Sequence, residues 1–281
     1  MAIYKPTELQ QFLKNLGIFP KKGLSQNFLI DGNILRKIAA AAKISPGDIV
    51  VEIGSGPGSL TEELLKNGAR VIAVEKDKIL ADALERLKNE ERHLDIYCED
   101  ILSFPLEEVV APWIKEGKRA MVIANLPYHL TTPIIARLVK LPHLFSSLVL
   151  MVQDEVARRF TAMPGTSDYS SFTVFLNFYS KPRYGFSVSR SCFYPAPTVN
   201  SAIVILDLKE PPAVKDPDAF FTLTRTAFEH RRKMLRSSLR ELYAPESIEK
   251  ALLSINLSPQ SRPEELSLNQ FLLLFEKVQT L

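Results

Sequence analysis

Hydrophobic residues in the first 160 positions form short apolar runs, separated by stretches in which hydrophobic residues recur at helical spacing. Apolar runs bounded by turns predict strands, and helical spacing predicts amphipathic helices. The predicted strands cover residues 48–53, 70–74, 94–98, 120–124 and 147–152, and the predicted helices cover 59–67, 79–89, 132–140 and 153–160. Strands that alternate with helices form a parallel sheet, so we expect an α/β fold with helices on both faces of the sheet.

The flanks of this region follow other patterns. Residues 7–16 and 32–43 predict two helices, with Thr7 and Asp31 as their caps. The run 170–179 predicts either a helix or a strand, and residues 183–189 and 199–208 predict a final pair of strands. After the prolines at 211, 212 and 217 the pattern is helical over 220–239, 245–254 and 267–277. We therefore predict one domain over residues 1–210 and a helical domain over 211–281.

Composition narrows the class of protein. The chain of 281 residues is 46% hydrophobic and 24% charged, as soluble globular proteins are. Cys98 and Cys192 are too few for a disulfide framework, and no Cys/His cluster has the spacing of a metal site. The N-terminus lacks an apolar signal core, and no apolar run reaches the ~18 residues of a membrane span. These features predict a cytoplasmic protein without a metal.

Positive charge is concentrated near the C-terminus, in residues 225–240, which we name the basic segment. It holds six basic residues and one acid, a net charge of +5, whereas the whole chain carries only +3. Such a local excess on a near-neutral protein predicts a polyanionic partner, although a solvated amphipathic helix is the alternative. The candidate phosphate-binding residues are Arg231, Arg232, Lys233 and Arg236.

A Gly-rich turn follows the first strand of the alternating region, with glycines at 54, 56 and 58. A ligand can lie against such bare backbone and face the N-terminus of the next helix. Alone, the turn could belong to any α/β protein. A dehydrogenase is less well supported, because the third glycine of the dinucleotide fingerprint is displaced and no residue for hydride chemistry is evident.

Polar residues follow three further strands, and parallel pairing should gather them at one edge. Glu75 comes 21 residues after Gly54, where an acid accepts hydrogen bonds from ribose hydroxyls. Asp100 could accept from an adenine amine. Either acid could instead be an ordinary loop residue.

The tetrapeptide Asn125-Leu126-Pro127-Tyr128 follows the fourth strand and suits a planar ring that carries an NH₂ group. The Asn125 carbonyl can accept one N–H, and Pro127 stiffens the loop so that the preceding carbonyl, of Leu126, can accept the other. Tyr128 offers a stacking face worth ~1–3 kcal/mol per base. The alternative is a strand-to-helix turn with an N-cap. Phe193, followed by Pro195 and Pro197, is a second candidate ring, or an ordinary buried Phe.

Together these motifs resemble the ribosomal RNA adenine dimethyltransferases. The resemblance rests on the order and spacing of Gln26-Asn-Phe-Leu, Glu52-Ile-Gly-x-Gly-x-Gly, Glu75, Asp100 and Asn125-Leu-Pro-Tyr, and extends to residues 152–159, 193–201, 227–236 and 262–266. The last two segments resemble the small-subunit branch, which modifies two adjacent adenosines near the 3′ end of small-subunit RNA. Two departures are Ser25, where the family usually has Gly, and the segment 169–174, to which we assign no RNA contact.

The resemblance implies a Rossmann-like class I methyltransferase sheet with a small all-helical C-terminal domain, and S-adenosylmethionine as the cofactor. It implies that Asn27 and the Leu29 backbone close over the cofactor and that Asn125 bridges cofactor and target. The remaining cofactor-binding residues that it implies are Gly54 (methionine part), Gly56, Glu75 (ribose) and Asp100 (adenine).

The implied partner is small-subunit ribosomal RNA or the immature 30S particle, in ribosome biogenesis, and we expect a monomer that binds no membrane and no metal. Two alternatives remain. One is a large-subunit (23S) dimethyltransferase that confers antibiotic resistance, and the other is a non-catalytic assembly or RNA-binding factor on the same fold.

Overall fold

The computed structural model describes residues 3–18, 27–90, 93–114 and 120–280, which form two compact units. The first unit comprises Met1–Ala157 and Arg183–Lys209, and the second comprises Arg158–Pro182 and Glu210–Leu281. Ser25 and Gln26, which the resemblance names, lie outside the described residues.

Strands and helices alternate in the first unit much as the hydrophobic pattern predicts. The strands are β1 (Phe28–Leu29), β2 (Ile49–Ile53), β3 (Arg70–Val74), β4 (Leu94–Tyr97), β5 (Ala120–Asn125), β6 (Phe145–Gln153), β7 (Ser180–Val188), β8 (Phe193–Tyr194) and β9 (Ser201–Leu208). The helices are α1 (Pro6–Asn15), α2 (Gly32–Ala42), α3 (Ser59–Lys66), α4 (Lys78–Leu84), α5 (Leu106–Val110), α6 (Thr131–Leu138) and α7 (Asp154–Phe160). Both β7 and α7 cross a boundary between the units.

A seven-stranded sheet in the order β4-β3-β2-β5-β6-β9-β7 organises the first unit. The neighbours from β4 to β6 pair in parallel, and β9 pairs antiparallel with β6. Val50 and Val51 point to opposite faces of β2, and both are fully buried. The parallel part of the sheet, from β4 to β6, is the α/β arrangement that the sequence predicts, and the antiparallel β9 makes the whole sheet mixed.

The second unit is helical and has its own aromatic core. Its helices are α8 (Ser171–Tyr179), α9 (Pro217–Glu229), α10 (Leu235–Ser238), α11 (Pro245–Ser254) and α12 (Leu268–Val278). Phe178 of α8 lies 5.6 Å from Phe220 and 5.0 Å from Phe221, both of α9, between ring centroids. These contacts place residues 158–182 with the second unit, whereas our predicted division put them in the first. The division at residue 210 remains a prediction of domain boundaries.

Three local expectations change. The N-cap of α1 is Lys5, with Pro6 in the first turn, and not Thr7. The ambiguous run 170–179 is helix α8, because Ser170 and Thr173 form a capping box. The predicted single helix over 220–239 is wrong, because α9 ends at Glu229 and α10 begins at Leu235.

The close packing around Gly58, the N-cap of α3, generates a test of the fold. Gly58 has a φ of +85°, and a Cβ atom there would lie 2.6 Å from Leu84 Cδ2. Gly47 has nearly the same φ, +83°, but a Cβ there would meet no atom within 4 Å. We expect Gly47→Ala to cost about 1–2 kcal/mol for the left-handed backbone alone. Gly58→Ala should cost about 1–3 kcal/mol more, because the buried Leu84 and Leu87 side chains must move.

Thermal unfolding of the two variants, followed by circular dichroism, measures this difference. Gly47→Ala is the matched control, since it carries the backbone strain without the steric overlap. Equal losses of stability in the two variants would contradict the packing around Gly58.

Candidate active site

Parallel pairing brings the polar residues that follow the strands to one edge of the sheet. The last residue of β2 lies beside the last residue of β3 and the penultimate residue of β5. The chain continues from these positions into the predicted site residues: Gly54, Glu75, Asp100 and Asn125. The carboxyl edge of the sheet is therefore the place where they meet, as the sequence predicts.

Glu75 ties the Gly-rich turn to the end of β3. Its carboxylate accepts hydrogen bonds from the backbone N–H groups of Gly56 at 2.8 Å and Asp77 at 2.9 Å. The residue is only 7% exposed, and this burial raises its pKa even though the two N–H groups favour the charged form. Carboxylate oxygens have about four acceptor sites, so Glu75 keeps capacity for further donors such as ribose hydroxyls.

Asp100 remains partly exposed at the same edge. The Lys76 ammonium donates to Asp100 Oδ2 at 2.8 Å, and the Leu102 N–H donates to Oδ1 at 2.9 Å. The hydrogen bond from Lys76 is the largest cause that holds the pKa of Asp100 below its usual value. The carboxylate is therefore charged at neutral pH and able to accept from an amine. Arg137 donates to two carbonyls of the following turn, those of Ile101 and Phe104, and holds this loop.

Asn125 uses its NH₂ group to hold a neighbouring segment. Its Nδ2 donates to the Asn27 carbonyl at 3.1 Å, and with that assignment its Oδ1 accepts no hydrogen bond from the described residues. The Leu126 N–H donates to the Met151 carbonyl at 3.2 Å, which holds the peptide between Asn125 and Leu126 against β6. Consecutive residues thus supply two carbonyl acceptors, Asn125 Oδ1 and Leu126 O.

The Tyr128 ring is anchored through its hydroxyl. Its oxygen lies 2.9 Å from Ser201 Oγ, at the first residue of β9. Burial raises the pKa of this half-buried phenol, so the ring is neutral. The Thr131 hydroxyl donates to the Pro127 carbonyl at 3.3 Å and stabilises the turn that carries the ring. Tyr128 therefore has a defined position directly after Asn125.

Phe193 lies in a different environment from the exposed loop that the prolines suggest. It pairs with Leu29 in the two-stranded sheet of β1 and β8, and it is only 3% exposed. The Ile30 N–H donates to the Cys192 carbonyl at 2.8 Å and extends this pairing. Stacking of Phe193 on a base remains a prediction, and it requires the ring to leave the core.

The Gly-rich turn lines a small pocket of about 40 Å³ at the carboxyl edge. Among the described residues, those around it include Phe28, Leu29, Glu52, Gly54, Ser55, Gly56 and Asn125. The Ser55 hydroxyl is buried without a hydrogen-bond partner of standard geometry in the described chain, although it is close enough to lower the pKa of Glu52. Our sequence analysis assigned Glu52 no role, yet an acid inside an apolar run was a signal for one.

The basic segment contains both ion-paired and unpaired cations. Arg231 Nε lies 2.6 Å from Glu264 Oε2, and the same guanidinium donates to the carbonyls of Thr166 and Ser167. Arg236 pairs with Glu249. Arg232 and Lys233 are exposed, and their side chains have no partner in the described part of the chain. These two line an open groove of about 750 Å³. The other residues of its lining are Met234, Arg236, Ser237, Ser258, Gln260, Ser261, Arg262 and Glu265.

Within residues 3–18, 27–90, 93–114 and 120–280, no helix is both long and apolar enough to cross a membrane. The same residues contain no group of three or more His, Cys, Asp or Glu side chains placed to hold a metal ion.

Two known proteins are similar to this chain over nearly all of its length. A "Ribosomal RNA small subunit methyltransferase A" from Protochlamydia amoebophila is 62% identical over 99% of this chain and 98% of its own. The protein of the same name from Chlamydia caviae is 46% identical over 98% of each chain.

Solved structures agree with the fold. A dimethyladenosine transferase from Plasmodium falciparum is 29% identical, with a TM-score of 0.73 over 90% of this chain and 98% of its own. The 23S rRNA methyltransferase ErmE is 25% identical, with a TM-score of 0.68 over 90% of this chain and 100% of its own. These neighbours confirm the Rossmann-like methyltransferase fold.

The family model of the ribosomal RNA adenine dimethylases matches residues 20–280. That match and the identity to curated relatives confirm the resemblance drawn from the motifs. This chain belongs to the ribosomal RNA adenine dimethylase family.

Proposed function

We propose that this ribosomal RNA adenine dimethyltransferase acts on small-subunit (16S) RNA during ribosome biogenesis. It transfers methyl groups from S-adenosylmethionine to the N6 amines of two adjacent adenosines near the 3′ end. The observation that carries the proposal is the position of Asn125–Tyr128 at the sheet edge, beside the Gly-rich pocket. Sequence identity favours the small subunit over the large one, since it is 62% to the small-subunit relative and 25% to the 23S enzyme.

The residues at the sheet edge fit the chemistry of S-adenosylmethionine. Glu75 keeps acceptor capacity for ribose hydroxyls, and the charged Asp100 can accept from the adenine amine. At Gly56 an added Cβ would lie 3.1 Å from the Phe28 ring, so a side chain there would crowd the pocket. The unpartnered Ser55 hydroxyl is a further polar group in this lining. Leu29 lines the pocket from the β1 side, and Asn27, whose carbonyl accepts from Asn125, would close over the cofactor with it.

Asn125 and Leu126 act on the target amine. The lone pair of the adenine amine is delocalised into the ring, which makes this nitrogen a weak nucleophile. Acceptors at Asn125 Oδ1 and the Leu126 carbonyl orient both N–H bonds and favour a tetrahedral nitrogen with a localised lone pair. Tyr128, held by Ser201, provides the stacking face for the base after it leaves its own stack. When bound, S-adenosylmethionine supplies the electrophilic methyl group and its own leaving group.

The exposed cations of the second unit bind the RNA backbone. Arg232, Lys233 and Arg262 line one groove together with hydroxyl and amide side chains, which are phosphate and sugar ligands. Arg231 and Arg236 were also candidates for this contact. Because both are ion-paired, we assign them mainly to holding the fold around the groove.

Mass spectrometry of ribosomal RNA tests the proposal directly. Immature small subunits and large-subunit RNA are incubated separately with the protein and labelled S-adenosylmethionine. We expect two adjacent dimethyladenosines in small-subunit RNA and none in large-subunit RNA. Label in large-subunit RNA alone would favour the resistance enzyme, and no label in either would favour a non-catalytic factor.

The first site prediction concerns Asn125. Asn125→Ala should reduce turnover by a factor of about 100 or more, because it removes one of two acceptors that position the amine. Affinity for S-adenosylmethionine should fall less, since Glu75 and Asp100 remain. Single-turnover kinetics with calorimetry on the same preparation separates the two effects. Near-normal formation of dimethyladenosine by this variant would refute the role.

The second prediction concerns Glu75. Glu75→Ala should weaken S-adenosylmethionine about ten-fold or more, because it removes a buried acceptor of charge-assisted hydrogen bonds. Glu99→Ala, at a neighbouring exposed acid, is the control and should bind normally. If calorimetry finds equal affinities for the two variants, Glu75 does not hold the cofactor.

The third prediction separates the two kinds of cation in the basic segment. Arg232→Ala and Lys233→Ala should weaken RNA binding and flatten its salt dependence, because each change releases about one counterion fewer. Arg231→Ala should mainly lower thermal stability, since it breaks the ion pair with Glu264. Lys250→Ala, an exposed cation outside the segment, is the matched control. In a salt titration, Lys250→Ala should keep the slope of the parent. The same unchanged slope in Arg232→Ala and Lys233→Ala would contradict the assignment.

A further inference from the structure

The turn that follows β4 is closed on Asp100, and we name residues 100–104 the Asp100 turn. The N–H groups of Ser103 and Phe104 donate to the Asp100 carbonyl at 3.0 and 2.9 Å, and the Leu102 N–H donates to the Asp100 carboxylate. These bonds fix the shape of the turn. All of them are internal, so they do not determine where the turn lies relative to the rest of the site.

The sheet supports the Asp100 turn from one side only. β4 is an edge strand of the seven-stranded sheet, and β3 is the neighbour with which it pairs. Lys76, which follows β3, donates to Asp100 Oδ2, but its side chain is 74% exposed. An exposed ion pair contributes little to stability, so it holds a turn weakly. The position of the turn therefore depends on contacts from elsewhere in the fold.

Arg137 supplies such a contact from α6. It lies half-buried in the last turn of that helix, and its guanidinium donates to the carbonyls of Ile101 and Phe104. Both of these residues are buried, and the Phe104 ring lies 5.0 Å from the Tyr97 ring of β4, between centroids. A planar guanidinium that donates two bonds fixes direction as well as distance. Arg137 therefore ties the Asp100 turn to α6.

The charge of Arg137 also acts on the Asp100 carboxylate. The hydrogen bonds from Lys76 and the Leu102 N–H are the larger causes that lower the pKa of Asp100, and the charge of Arg137 acts in the same direction. In the described part of the chain, no direct hydrogen bond joins Arg137 to this carboxylate. The guanidinium thus acts on Asp100 mainly through the backbone of the turn.

The same helix is bonded to the tetrapeptide that we assign to the target base. α6 begins three residues after Tyr128, and the hydroxyl of its first residue, Thr131, donates to the Pro127 carbonyl at 3.3 Å. Arg137 follows Thr131 by six residues, which is about 9 Å along the helix axis. One short helix therefore bonds to the tetrapeptide at its first residue and to the Asp100 turn near its last.

We propose that Arg137 is a positioning residue for S-adenosylmethionine, which holds the Asp100 turn against α6 so that the Asp100 carboxylate meets the adenine amine. The inference rests on the proposed function for the identity of the cofactor and for the role of Asp100. Without Arg137 the cofactor itself would have to order the turn, and that ordering would lower its affinity.

Isothermal titration calorimetry of S-adenosylmethionine with the full-length protein tests this role. Arg137→Ala should weaken binding about five- to ten-fold, because the turn is no longer held in place. Arg137→Lys keeps the charge but lacks the planar fork, so it should weaken binding about two- to five-fold. Lys140→Ala, at an exposed cation two residues beyond α6, is the control and should bind as the parent does.

The outcomes of this titration separate the inference from the proposed function. Equal affinities of Arg137→Ala and Lys140→Ala would overturn the role of Arg137 and leave the proposed function intact. No binding of S-adenosylmethionine by the parent would overturn both. If Arg137→Ala does not fold, the measurements on Arg137→Lys decide in its place.

A double-mutant cycle separates positioning from general support of the fold. In Asp100→Ala the acceptor for the adenine amine is absent, so adding Arg137→Ala should weaken S-adenosylmethionine by less than about two-fold. Losses that multiply in full would show that Arg137 acts independently of Asp100, and would overturn the proposal.

Steady-state kinetics provides a second readout. Arg137→Ala should raise the KM for S-adenosylmethionine and keep kcat within about two-fold of the parent, because Asn125 and Tyr128 are held by other contacts. A reduced kcat with an unchanged KM would show that Arg137 supports the target-binding tetrapeptide instead, and would contradict the role assigned to it.

Discussion

The site depends on one constraint, the parallel pairing of β2, β3, β4 and β5 in a sheet that is buried on both faces. Burial requires apolar side chains along each strand, so polar groups can enter the structure mainly where the strands end. Parallel pairing then sets these ends at the same edge. The residues that follow separate strands come together for this reason, although many residues of sequence divide them.

Several side chains of the site form hydrogen bonds with backbone groups of the protein itself. Glu75 accepts from the N–H of Gly56, and Asn125 donates to the carbonyl of Asn27. Each contact joins two segments that are distant in sequence. It also determines which atoms remain available, since the NH₂ group of Asn125 is used and its carbonyl oxygen is left. The orientation of the reactive groups is therefore a consequence of how the loops are held.

What could be predicted from sequence depended on local signals. Asp31 caps α2 as expected, because the cap bonds reach only Asn33 and Ile34. For Phe193 the sequence left open whether the ring is buried, since its partner Leu29 lies in a distant segment. The raised pKa of Glu52 was equally hidden, because it depends on the helix and strands that cover it. Strand ends and caps follow from neighbouring residues, whereas exposure and charge state follow from tertiary contacts.

At the break between α9 and α10, too, tertiary contacts determine which side chains are exposed, and this matters for RNA binding. In a continuous helix, Arg231, Arg232 and Lys233 would point in directions about 100° apart, so no single surface could use all three. In the structure, Arg231 turns to Glu264 and two backbone carbonyls, and those bonds hold the residues between the helices. Arg232 and Lys233 are left exposed along one groove with Arg262. The ion pair of Arg231 thus stabilises the segment. Because Arg231 holds the segment in this way, Arg232 and Lys233 remain available to bind phosphate.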